Sequence, residues 1–282
     1  MQQAASSQGG RGEGGRGGGT GGERDASLRV YLFSAFRVLV NGVPVQDQLG
    51  KKTKTLFKVL AANLGKRISK DILIDLVWPE TDPAKGYASL KVAIHSLRTV
   101  LGNGREWIVA KEGTYALAAG PHVWTDVQEF MRRWKQGKLL EQAGDMARAG
   151  QEYELAATLY TGDLLEDDLY EDWTIVRREQ LKDIYLELME KLAHLSLASG
   201  RHQETIRYCH NIILADPCHE DAYRMLMRSH AALNQIARAA AWYAVCRVML
   251  QREMDALPAS ETVRAFERLF TSGSDRTGRQ TA

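Results

Sequence analysis

Apolar and polar residues alternate where the patterned part of the chain begins, and then switch to helical spacing. In LRVYLFSAFRVLVNGVPV, residues 28–45, the positions Leu28, Val30 and Leu32 and then Phe36, Val38 and Val40 recur every second residue. That is the period of a strand with one buried face. Asn41-Gly42 marks a tight hairpin turn, since both residues tolerate positive φ. From Lys51 to Leu64 the spacing becomes helical, with Leu56, Val59, Leu60 and Asn63 on one face and Gly65 as the stop. Ser69 predicts the N-cap of a second helix over Lys70–Trp78, closed by Pro79. A third helix spans Pro83–Leu101, with Asp82 as cap, Pro83 at the first helical position and Gly102 at the end. Trp107–Leu117 reads as a hairpin turning at Glu112-Gly113. Strands, three helices and a hairpin in this order predict an α+β winged helix-turn-helix with an N-terminal sheet over 28–124.

Residues 125–270 read as all-α and repeat with a period of 34 residues. Leu192 maps to Leu226, Ala198 to Ala232, Gly200 to Asn234, Tyr208 to Trp242 and Leu214 to Val248. An earlier copy aligns Gly144 with Gly200 and Leu159 with Ala215. Small residues at helix crossings and Pro217 after a second helix are marks of tetratricopeptide-like pairs. Such an array buries its faces by stacking neighbours, presents a concave groove and performs no chemistry of its own. Residues 1–27 form a Gly-rich low-complexity stretch. It reads as a plain disordered tail and not as an RGG-type nucleic-acid arm, because three arginines are matched by three acids and no aromatic intervenes. Residues 271–282 are expected to be a flexible C-terminal tail.

Charge sharpens this division. Residues 28–124 hold 14 Lys and Arg against seven Asp and Glu, net +7, whereas residues 125–282 hold 20 against 25, net −5. A basic small domain joined to an acidic helical one suggests a polyanion-binding module with an attached control or docking module. No apolar run approaches the ~20 residues that cross a bilayer, so no membrane association is expected. The N-terminus has no apolar segment of the secretory kind. Cys209, Cys218 and Cys246 are an odd set without CxxC spacing, which fits a reducing cytoplasm better than a disulfide framework.

The third helix carries the sharpest chemistry. On a wheel of 100° per residue, Leu90, Ala93, Ile94, Leu97, Val100 and Leu101 share an apolar sector that must face the core. Opposite lie Ala88, Val92, His95 and Thr99, with Lys85 near them, Lys91 and Arg98 flanking on one side and Ser96 on the other. A face of small, hydrogen-bonding and cationic groups suits the DNA major groove. Val92, pointing away from the core, is either a scattered surface valine or a contact for a thymine methyl. Lys51, Lys52 and Lys54 open the first helix, where three cations oppose the helix dipole, so phosphate contact explains them better than helix stability. Lys111, Thr114 and Tyr115 occupy the hairpin tip, where a wing would lie along DNA; Tyr115 reads equally well as a core residue.

Two stretches resemble known families. ISKDILIDLVWPETDPAKGYASLKVAIHSLRTVLG followed by WIVAKEGTYAL resembles the response-regulator-type winged helix of the actinomycete antibiotic regulatory proteins. LYTGDLLEDDLYEDWTIVRREQLKDIYLELMEKLAHLSLASGRHQETI, then ADPCHEDAYRMLMRSHAALNQIARAAAWYAVCRVMLQREMDALPASETVRAFERL, resembles the bacterial transcriptional activator domain. The resemblance covers roughly residues 28–270 and includes the domain order. It implies an activator that binds direct repeats in promoter DNA and recruits RNA polymerase, with the helical domain aiding dimerisation or protein contact. Lys91, Val92, His95, Arg98 and Thr99 match the family's recognition-helix stretch. Ser96 and Thr99 stand where many members carry arginine, and Ala116 stands where the wing often has arginine. Glu253 to Pro258 reads EMDALP in place of the usual ELGVEP. Fewer cations imply a shallower salt dependence. With neither a receiver domain nor a Walker A motif, control by either within this chain is not expected.

Other candidates are weaker. His194, His202, Cys209-His210, Cys218-His219 and His230 cluster in the helical domain, but adjacent Cys-His pairs on a helix point about 100° apart, which is poor for zinc, and a catalytic Cys-His pair lacks any accompanying nucleophile-elbow or oxyanion signature. No metal, cofactor or enzymatic activity is expected. The acids Asp163, Glu166, Asp167, Asp168, Glu171 and Asp172 read as a helix-N-terminal stretch complementing the dipole, with Arg177 and Arg178 placed to pair with them. Arg207, Tyr208, Trp242 and Arg247 suggest a pocket for a nucleotide second messenger such as a cyclic dinucleotide, against ordinary packing between repeats. The rival to the whole reading is a helical-repeat adaptor whose winged helix binds protein instead of DNA.

Overall fold

The computed structural model describes residues 27–102, 104–168 and 171–277. The expected glycine-rich tail, apart from its last residue, lies outside them, as do residues 278–282.

The chain opens with β1 (Leu28–Tyr31), β2 (Arg37–Val40) and β3 (Val43–Pro44). β1 and β2 pair antiparallel, Leu28 opposite Val40. The β2–β3 turn takes φ of 52° at Asn41 and 84° at Gly42, the positive pair that an Asn-Gly turn supplies. Leu28, Val30 and Val38 are fully buried, so the alternation does mark one core face. Leu32 and Phe36, although buried, lie outside the strands.

Next come α1 (Lys51–Ala62), the short β4 (Ile68–Ser69), α2 (Lys70–Val77), α3 (Pro83–Val100) and a single turn, α4 (Gly104–Trp107). The Ser69 hydroxyl accepts from the Ile72 N–H at 3.2 Å, and the Asp82 carboxylate accepts from the Ala84 and Lys85 N–H groups. Gly86 lets α2 and α3 approach, since a Cβ there would stand 2.6 Å from a methyl of Ile74. β5 (Ile108–Lys111) and β6 (Thr114–Leu117) form the expected hairpin about Glu112 and Gly113, and β4 pairs with β6 to make a three-stranded wing sheet.

β7 (Val123–Thr125) pairs parallel with β1 and completes the first sheet in the order β3-β2-β1-β7. It runs directly into α5 (Asp126–Gln142) with no intervening residue. The helical array continues with α6 (Met146–Leu159), α7 (Asp172–Ala198), α8 (His202–Ala215), α9 (Glu220–Ala232), α10 (Ile236–Met254) and α11 (Ser260–Thr277). The repeat register read from the sequence is visible in the loops. Gly144, Gly200 and Asn234 all have positive φ, and each N–H closes the turn on the carbonyl three residues back. Five residues on, Ala149, Thr205 and Ala239 are fully buried where the helices cross. α11 continues to Thr277, shortening the tail expected from residue 271, because no proline breaks its backbone ladder.

The two halves share one apolar core, from Leu28 and Phe57 through Phe130 to Leu181 and Ile212. At the joint, the Asp126 carboxylate accepts from the Leu32 and Phe33 N–H groups at 2.8–2.9 Å and from its own helix at Val127. Burial pushes this carboxyl up to about 6, against the backbone donors that favour its charged form. The Phe33 ring lies 5.4 Å from Phe130 and 4.8 Å from Tyr160, and Phe33 bridges Leu164.

The acidic run divides: Glu171 and Asp172 open α7 as exposed acids, as expected, whereas Asp163, Glu166 and Asp168 belong to this joint. Asp168 pairs with the buried Lys58 of α1, Glu166 accepts from the Ser34 hydroxyl at 3.0 Å, and Asp163 accepts from the Tyr160 hydroxyl at 2.6 Å. Arg178 does not pair with the carboxylates as expected. It donates to the carbonyls of Leu164 and Asp168 and to the Thr174 hydroxyl. Among the described residues Arg177 donates only to Gln180, at 3.4 Å.

Candidate nucleic-acid interface

α3 is held against the core by Leu90, Ala93, Ile94 and Leu97, all at most 5% exposed. Its opposite face is open: Lys85, Ala88, Lys91, Val92, His95 and Thr99 are exposed, Val92 by 70%. The Lys91 ammonium sits 4.3 Å from the centre of the Tyr87 ring, and that of Lys70 sits 5.0 Å from the same ring. The Thr99 hydroxyl donates back to the His95 carbonyl at 3.0 Å, leaving its lone pairs toward solvent. Between α3 and the wing lies a cleft of about 540 Å³, lined by Lys91, His95, Arg98, Thr99, Arg105 and Tyr115 among others.

Two expected contact cations donate to backbone carbonyls. Arg98 is half-buried and donates through Nε and Nη2 to the Ile108 carbonyl, at 3.3 and 2.7 Å. It therefore fastens the C-terminal end of α3 to the first wing strand. Gly104 permits this close turn, since a Cβ there would meet the Arg98 backbone at 2.2 Å. Lys52 donates to the Val77 carbonyl at 2.6 Å and so satisfies the end of α2. The other two lysines at the start of α1 differ: Lys54 stands 3.8 Å from Asp47, and Lys51 is exposed without an ion pair among the described residues.

At the wing tip, Lys111 is 3.7 Å from Glu112 with both groups exposed, and the Thr114 hydroxyl donates to the Lys111 carbonyl at 2.6 Å. Tyr115 is partly buried, packs on the core, as one reading of it expects, and also lines the cleft. Burial and the neighbouring Tyr87 raise its hydroxyl pKa. Arg105, on the one-turn α4, joins the cleft without having stood out in the sequence, because a four-residue helix leaves no periodic trace.

The helical domain does not bring Arg207, Tyr208, Trp242 and Arg247 into one pocket. Tyr208 lines a cavity that the other three do not, and its hydroxyl donates to Glu154 at 2.8 Å, an acid that would repel phosphate. Arg207 covers the Tyr208 ring, while Trp242 packs elsewhere against His210 and Tyr223. Cys209 and Cys246 are buried as small apolar groups, and burial pushes both thiols up to about 12. His194 meets acids and not cysteines. Its ring lies 2.9 Å from Asp221, near Glu190, and Asp221 also takes Arg224 at 2.9 Å.

Residues 125–270 match the family described as the bacterial transcriptional activator domain. The regulatory protein AfsR of Streptomyces griseus is 23% identical over 222 residues, which cover 79% of this chain and 22% of AfsR. The regulatory protein DnrI of Streptomyces peucetius is 23% identical over 250 residues, covering 84% of this chain and 91% of DnrI. The chain thus spans about a fifth of the first relative and most of the second. Among solved structures, Mycobacterium tuberculosis EmbR, determined in complex with a low affinity phosphopeptide, superposes with a TM-score of 0.73 at 19% identity. That match covers 88% of this chain and 66% of the other, and it concerns the fold.

Proposed function

Because the chain belongs to the bacterial transcriptional activator domain family, whose match takes in more than half of its length, we propose that it regulates transcription by reading promoter DNA with α3. The observation that carries this reading is the open face of α3, polar and cationic above an apolar face sunk in the core. A helix so presented fits the major groove. Lys91 and His95 reach base edges or phosphates, Val92 seats on a thymine methyl, and Thr99 and Lys85 extend the contact along the groove. Lys51 and Lys54 on α1 and Lys111 and Thr114 on the wing meet the phosphates on either side. Arg98 and Lys52 act through position, one tying α3 to the wing and the other α1 to α2. The helical array, fixed to this head by a shared core, offers its surface to RNA polymerase.

The test is retardation of a duplex obtained by selection from random sequence, across a salt series. Log affinity should fall linearly with log salt, and Lys91→Ala should lower both affinity and slope, by about 0.9 in slope per lost phosphate contact. A wild type that enriches no sequence, or binds duplex with no salt dependence, refutes the reading and favours a protein adaptor.

A further inference from the structure

A cavity of about 450 Å³ lies where the winged domain meets the helical array. Its walls come from three elements: the end of α1 and the turn after it, the start of α5, and α7. Three cations line it, Lys66, Lys135 and Arg177, and no Asp or Glu does. None of the three has an ion pair among the described residues, and Arg177 donates only to Gln180. Asp126, next to two lining residues, turns its carboxylate onto Leu32 and Phe33 instead. The indole of Trp173 lines the same cavity, and its buried Nε1–H has no hydrogen-bond partner among the described residues. Met131, Val127 and Leu64 supply apolar wall.

Cations gathered without counter-charge are unusual in a protein with 35 acids against 37 Lys and Arg. A partly buried guanidinium normally finds a carboxylate, and an unused buried donor normally finds an acceptor. Burial lowers the Arg177 pKa from its usual value, and no neighbouring charge offsets this. The volume falls within the roughly 300–1,000 Å³ of small-molecule sites. We propose that this cavity binds a small organic anion with a flat apolar body, a carboxylate or a phosphate ester. Arg177 takes the acidic group, the Trp173 N–H takes one of its oxygens, and the ring lies against Met131 and Leu64. Because α1 forms one wall and α7 another, the bound anion touches both the DNA-reading head and the helical array.

Calorimetry on the full chain without DNA tests this, so failure of DNA reading would leave the result interpretable. The probes are salicylate and adenosine monophosphate, with salicylamide and adenosine as uncharged counterparts. At least one anion should bind saturably, and its uncharged counterpart at least tenfold more weakly. Arg177→Gln should weaken that anion at least tenfold. Lys135→Gln, at an exposed position that folding does not need, should weaken it severalfold. Absence of saturable binding by both anions at millimolar concentration overturns the proposal. So does equal binding of charged and uncharged probes, or wild-type affinity in both variants.

Discussion

Replacing Asp168 by asparagine should damage this protein far more than removing its partner. The Lys58 side chain is 8% exposed and that of Asp168 21%, so the ammonium lies inside and the carboxylate at the rim. Lys58 comes from α1 of the winged domain and rests 5.1 Å from the centre of the Phe36 ring; Asp168 comes from the loop ahead of α7. Asp168→Asn strands a buried cation. Breaking a buried pair in that way costs about 3–5 kcal/mol, and partial access of water to the rim brings the expectation to about 2–3 kcal/mol. Lys58→Met keeps the packed stem, removes the charge that needs a partner, and leaves a carboxylate that water can reach. It should cost no more than about 1 kcal/mol. Urea unfolding followed by far-UV circular dichroism measures both. The pair Lys58→Met and Asp168→Asn should be no worse than Asp168→Asn alone. If Lys58→Met proves as costly as Asp168→Asn, mutual attraction and not the stranded charge dominates, and the argument fails.

Two more outcomes follow from the same geometry. Gly86→Ala places a methyl 2.6 Å from Ile74, so α2 and α3 must part; overpacking of this kind costs about 1–3 kcal/mol, and a variant as stable as wild type by the same unfolding assay would show the contact to be soft. For Asp126, burial pushes the folded carboxyl up to about 6 from its usual value of 3.8, so the native state holds its proton more tightly than the unfolded chain does. Stability should therefore fall as pH rises from about 4 to about 6, by up to about 3 kcal/mol relative to Asp126→Asn, whose amide does not titrate; a wild type that gains on the variant over this window contradicts the assignment.

Where local chemistry decides structure, the sequence was readable. Asn41-Gly42, Ser69, Asp82, Gly102 and Glu112-Gly113 each act through their own backbone or a neighbour within three residues. The equivalence of Gly200 and Asn234 held because both solve one problem, a positive φ at a helix end. The open face of α3 was legible for a similar reason, since an 18-residue helix leaves a full wheel to read. Partners distant in sequence were not legible. Arg98 and Lys52 looked like solvent cations until the carbonyls of Ile108 and Val77 came into reach. The acidic run reads as a dipole complement, which fits Glu171 and Asp172 at the start of α7, but the partners of Glu166 and Asp168, Ser34 and Lys58, lie more than a hundred residues away. β7 was invisible because three residues carry no period, and its strand character exists only beside β1.

β7 passes into α5 without a spare residue, so, on the proposal that α3 reads DNA, the geometry of the duplex would set the orientation of the whole molecule. A head joined this directly, over a shared core, would hand the azimuth of the proposed binding site to the helical arm. Shifting that site by about 5 bp, half of a 10–10.5 bp turn, would swing the arm to the opposite side of the DNA, and a full turn would restore it. Promoter output should then oscillate with the position of the site instead of decaying smoothly with distance.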